Sequence, residues 1–193
     1  LSGALLALLL SPSGCRPTEQ EASIAFYYWK SVLQLQPGEV VTLQENGVRQ
    51  LFVKFFDVDI EADGRARPAA AIRFAEEGWQ DYAIVPCVFI TNRTFQSDRV
   101  LPAQLAEQVW GYLQQINARY GLQPVEYQFD CDWTATTRNK YFAFLQHLRQ
   151  LKGDARLSAT IRLHQYRYPE RTGLPPVDKG CLMYYNMGDI DDW

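Results

Sequence analysis

Val125-Glu126-Tyr127-Gln128-Phe129-Asp130-Cys131-Asp132-Trp133 reads as a strand, and its surroundings decide the fold. Before it, residues 101–120 carry Leu101, Leu105, Val109, Leu113 and Ile116 as one apolar stripe, with Pro102 in the first turn and Gly121 beyond the last. That is the pattern of an amphipathic helix with a proline start and a glycine stop. After it, Thr137 opens a second helix with Tyr141, Phe144, Leu145, Leu148 and Leu151 inward and Gly153 at its end. A strand fed by one helix and leaving into another belongs to βα crossovers, which join parallel neighbours.

Working outward, further strands are expected at 24–29, 50–58, 82–91, 157–166 and 181–187. The run at 82–91 is nearly continuous in hydrophobicity, as a strand covered on both faces should be. A short helix is expected at 39–45, closed by Gly47, and mixed helical character at 69–77. Six parallel strands exceed a flavodoxin-like sheet, and the chain has no Gly-x-Gly-x-x-Gly turn for a dinucleotide. The expected architecture is therefore α/β, a parallel (β/α)8 barrel of the TIM type with about six βα units present, since complete barrels run to ~250 residues. An open α/β sheet is the alternative, because the connection at 168–180, with Pro169, Gly173, Pro175 and Pro176, has room for little more than a turn of helix.

The chain opens with an apolar run at Leu1–Leu10 followed by Ser13-Gly14-Cys15, the order of a secretory signal and a bacterial lipidation site. Residues 1–15 are expected to be signal, 16–22 a polar tether and 23–193 the barrel, with Cys15 anchoring the protein to the membrane at the cell envelope; plain secretion is the rival. The apolar run is about half the ~20 residues a bilayer crossing needs. Of the other cysteines, Cys87, Cys131 and Cys181 lack metal-ligand spacing and are expected as buried thiols. No cofactor and no metal are expected.

A formal net charge of -3 without a long basic run offers no footprint for nucleic acid. Aromatic residues make up 13% of the chain, and rings both fill cores and stack on sugars.

In a parallel barrel the site lies at the carboxyl ends of the strands. There the sequence places Asp57 and Asp59, Thr91-Asn92-Arg93, Asp130 and Asp132, Arg162 and His164, and Tyr185-Asn186. Asp130 and Asp132 alternate and so project to one face, where two carboxylates are expected to raise each other's pKa. His164 is expected on the same inward face as Arg162. Trp133 is expected to present its ring beside the carboxylates, with Trp29 another aromatic at a strand end. Lys54 interrupts an apolar strand and, if inward, needs Asp57 or Asp130 as partner.

Asp130-Cys131-Asp132-Trp133 and Met183-Tyr184-Tyr185-Asn186 together resemble the family 18 glycoside hydrolases, the chitinase-like barrels. The fourth strand of that family ends in Asp-x-Asp-x-Glu and its sixth carries Met-x-Tyr-Asp; here Thr134 and Asn186 stand where the family has acids. The resemblance implies that Asp132 orients a substrate acetamido group with Tyr185 as its partner, and that the proton donor of the substrate-assisted route is missing at Thr134. The expected function is a secreted or lipid-anchored glycoside-hydrolase-like protein acting on a polysaccharide, with Asp130, Asp132, His164 and Tyr185 catalytic and Trp133, Arg162, Asn186, Asp57, Asp59 and Trp29 binding substrate. The alternative is a carbohydrate-binding barrel that kept the cleft and lost the chemistry.

Overall fold

A computed structural model of the protein describes residues 23–184. In chain order the elements are β1 (Ala25–Tyr28), β2 (Val32–Leu33), α1 (Pro37–Glu45), β3 (Gln50–Ile60), β4 (Ala66–Ala69), β5 (Arg73–Phe74) and β6 (Ala83–Ile90). They continue with α2 (Asn92–Gln96), α3 (Pro102–Tyr120), β7 (Glu126–Cys131), α4 (Arg138–Leu151), β8 (Arg156–Arg162), α5 (Leu163–Arg167), α6 (Pro169–Thr172) and β9 (Lys179–Met183). Cys15, the tether, Tyr185 and Asn186 lie outside the described residues.

Six strands form one parallel sheet in the order β1-β3-β6-β7-β8-β9, curled into a half-barrel with helices on its outer side. The α/β barrel-type architecture read from the sequence is the observed one. The two long helices form for the reasons given by their patterns. Leu105, Val109, Leu113 and Ile116 of α3 are buried, and Gly121 adopts the left-handed φ of 65° that an L side chain resists. Leu101 precedes that helix and is exposed, so it does not belong to the stripe. Tyr141, Phe144, Leu145 and Leu148 bury one face of α4, which packs beside α3.

The expected helical character at 69–77 is not observed. Ala66–Ala69 instead pairs antiparallel with the end of β3, and Arg73–Phe74 pairs with Val32–Leu33. Pairing with a neighbouring edge overrides a weak helical pattern. The fifth parallel strand also ends earlier than expected: β8 stops at Arg162, and Leu163–Arg167 turns into the short helix α5, whose Gln165 accepts the Arg162 N–H at 2.7 Å.

A β-bulge sets the polarity of the sheet's inner face. Lys54 pairs with Cys87 and Phe56 with Val88, leaving Phe55 as an extra residue. Phe55 and Phe56 are both fully buried on the outer side, against Phe74 and against Tyr112 of α3. Alternation therefore inverts across the bulge, with Leu51, Val53 and Phe55 outward before it and Phe56 and Val58 outward after it. Phe52, Lys54, Asp57 and Asp59 are left on the concave side. The floor of that side is a small cluster of Phe52, Val85 and Cys87 with Ala25 and Tyr27, beside a fully buried Glu126 held by Ser158 at 2.8 Å and Lys179 at 3.4 Å.

Candidate functional site

Strand β7 divides by parity. Tyr127, Phe129 and Cys131 join the core under the helices, whereas Glu126, Gln128 and Asp130 bond to groups of the concave side. Asp132 continues the polar row beyond the strand's last paired residue. Asp130 is 5% exposed and accepts the Thr160 hydroxyl at 2.5 Å and an Arg162 guanidinium N–H at 3.4 Å. Asp132 is the outer of the two, half-exposed, and accepts the Nε–H of the same arginine. Arg162 thus sits between both carboxylates.

Burial raises the Asp130 carboxyl above its ordinary range; the Thr160 hydrogen bond and the Arg162 charge pull it back, and the Asp132 charge adds the smallest push. The mutual repulsion expected of the pair is therefore a minor cause, because the arginine screens one acid from the other.

His164 is not on the strand with Arg162. It lies exposed on α5 at the rim, where it lines a cleft of about 560 Å³ with Asp132, Arg162, Arg167, Tyr168 and Met183. Trp133 does not present its ring beside the carboxylates. It is 1% exposed, donates its ring N–H to the Thr172 carbonyl at 2.9 Å and stacks on Tyr141 at 5.4 Å, so no ring face is free for a sugar. Its odd parity, shared with Tyr127 and Phe129, sends it to the helix side of the sheet. Thr134 opens the turn before α4, its N–H bonded to the Thr137 hydroxyl, which in turn donates to Asn92 at 2.6 Å.

The opposite wall of the mouth carries the remaining residues. Lys54 points inward and takes Asp57 as partner at 3.0 Å. Asp59 accepts the Arg93 Nε–H and the Thr91 hydroxyl, each at 2.6 Å, and the Arg93 guanidinium holds its carboxyl well below the usual range. Trp29, 43% exposed at the end of β1, stacks on Tyr27 with rings 5.9 Å apart. Asp130, Asp132, Arg162 and His164 are thus together on one side, Asp57, Asp59 and Trp29 on the other, and Trp133 is in neither group.

Sequence reasoning missed Thr160, Tyr27, Arg167 and Tyr168. Thr160 and Tyr27 were accessible from strand parity, as Thr160 alternates with Arg162. Arg167 and Tyr168 carry no pattern and become site residues only because β8 gives way to α5. A larger groove of about 1100 Å³ lies outside the sheet between Arg65–Pro68 and α3, far from the paired carboxylates. Among the described residues no three His, Cys, Asp or Glu side chains converge as metal ligands, and no helix is long and apolar enough to cross a membrane.

No protein-family model matches the sequence, and no curated protein matches it. Solved structures similar in fold include two enzymes. One is a chitinase from Chromobacterium violaceum, with TM-score 0.51, 12% identity, 87% of this chain covered and 57% of that one. The other is the spore cortex-lytic enzyme SleL of Bacillus cereus, with TM-score 0.45, 18% identity, 85% of this chain covered and 41% of that one. The chain spans about half the length of the structures it matches, and the likeness is one of fold.

Proposed function

We propose that the half-barrel is a polysaccharide-directed, glycoside-hydrolase-like protein that holds a saccharide at the carboxyl ends of β7 and β8. The observation that carries this reading is the accessible Asp132 carboxylate, fixed by Arg162 at the mouth of a parallel barrel-type sheet and opening on the cleft with Tyr168. A carboxylate oriented in this way accepts sugar hydroxyls or an amide N–H, and tyrosine offers both a ring and a hydroxyl. The fold shared with a chitinase supports the same class of ligand.

Retention without hydrolysis is favoured. The position after Trp133 is a threonine engaged in a helix-start turn, and Asp130 is shielded by Thr160 and Arg162. Hydrolysis is the second reading, and one observation favours it: Asp132 stands exposed beside a buried carboxyl with a raised pKa, a pairing that separates acid and base roles in glycoside hydrolysis. Catalysis by His164 and by Tyr185, and binding by Asn186, belong to this second reading. Attachment to the cell envelope through Cys15 is part of the proposal, supported by the order of apolar run, small residues and cysteine.

Glycan-array binding, with reducing ends assayed on every bound polymer, tests both readings. Asp132→Asn is expected to weaken binding and to remove any release of reducing ends. An array without a bound glycan overturns the proposal, and reducing ends released by the wild type alone would establish hydrolysis.

A further inference from the structure

The charges that line the cleft identify a narrower ligand class. Its single carboxylate, Asp132, is already paired with Arg162, whereas Arg167 adds a cation that no lining acid offsets and His164 adds an imidazole beside it. These two residues are three apart on α5, which places them on one side of the helix. Arg167 forms no salt bridge among the described residues, and its guanidinium lies over the Tyr168 ring at 5.5 Å from the centroid. Stacking of this kind holds the planar fork in place while leaving its N–H groups free at the edge. A neutral sugar covering such a fork would remove water from a cation without replacing its hydrogen bonds, which is unfavourable. A carboxylate restores them, two at a time.

We infer that the saccharide bound at this cleft carries carboxylate groups, with Arg167 and His164 receiving the acid and Tyr168 the sugar ring. The inference rests on the saccharide reading and narrows it. Uronic acids and sugars bearing an acidic ether substituent share this chemistry.

Titration calorimetry of the full chain with three hexasaccharides separates the possibilities: galacturonate, with an acid on every unit; hyaluronan, with acid and acetamido units alternating; and the neutral chitin oligomer. The acidic oligomers should bind about fivefold tighter than the neutral one at low ionic strength, the range expected of an exposed ion pair, and the advantage should vanish at high salt. Arg167→Gln should abolish the preference, so that acidic and neutral oligomers bind the variant with equal affinity; the side chain is exposed, so the variant is expected to fold, and circular dichroism verifies it. Tighter binding of galacturonate than of hyaluronan would assign the acid alone as the determinant, and the reverse would add the acetamido group. Equal affinity for neutral and acidic oligomers, or a preference unchanged in Arg167→Gln, overturns the inference while leaving the saccharide reading in place. Failure of all three to bind overturns both.

Discussion

The hydroxyl of Tyr27 lies 3.2 Å from the sulfur of Cys181, so the first strand of the parallel sheet touches the last across the concave face. The same hydroxyl donates to Gln128 at 2.7 Å on β7, one of the four strands between them. Three strands are thereby tied at one point inside the curl. Removing the hydroxyl leaves the buried Gln128 amide oxygen with only the weak Cys87 thiol donor at 3.7 Å, which costs about 1–3 kcal/mol. Tyr27→Phe is therefore expected to lower unfolding stability by about that amount, as read from the urea midpoint at constant slope.

Trp133→Ala should act on stability before it acts on binding. The ring is buried between α4 and α6, stacked on Tyr141 and bonded to Thr172, and truncating such a residue costs about 3–5 kcal/mol. Thermal unfolding of Trp133→Ala and Trp133→Phe, compared with wild type, checks this. A variant that melts with wild type but binds poorly would contradict the buried placement.

Asp130 makes a pH prediction of definite sign. Its folded-state pKa is raised, chiefly by burial, so between the unfolded value of about 4 and the raised value the folded protein holds a proton that the unfolded chain has lost. Stability relative to Asp130→Asn should fall as pH rises through that window. Denaturant titrations of both proteins at a series of pH values measure the difference.

Asp59 should show the opposite slope. The hydrogen bond from Arg93 depresses its carboxyl, so its contribution is present above the unfolded value of about 4 and fades as pH falls toward the lower folded value. The pair is partly exposed, so Asp59→Asn should cost about 1 kcal/mol or less at neutral pH, with the loss shrinking in acid. The same titration series with this variant provides the test.

Much of this was legible from period and punctuation. Long helices with a proline start and glycine stop, such as α3, advertise themselves, and the strand runs between them then follow as parallel neighbours. Strand β7 was legible to within two residues and its aspartates were correctly placed on one face. The reading failed where non-local pairing decides the outcome. Residues 69–77 have no strong pattern of their own and took the conformation that the edges of β3 and β2 offered. Nothing in Arg162-Leu163-His164-Gln165 marks the change from strand to helix, which Gln165 stabilises by accepting the Arg162 backbone N–H. Trp133 differs for another reason: it neighbours two acids in sequence, yet strand parity places it on the other face.

The extra residue Phe55 has a consequence for how such a sheet can change. Because it inverts the inside-outside phase partway along β3, the upstream half of the strand contributes Phe52 to an apolar floor while the downstream half contributes Asp57 and Asp59 to a charged mouth. The two halves are decoupled. Substitutions that retune the mouth need not disturb the pattern that seals the floor, whereas taking Phe55 into a regular ladder would turn Asp57 and Asp59 outward and put their apolar neighbours in their place. The charge of the mouth and the sealing of the floor are thus separate traits of one strand, joined by a single insertion.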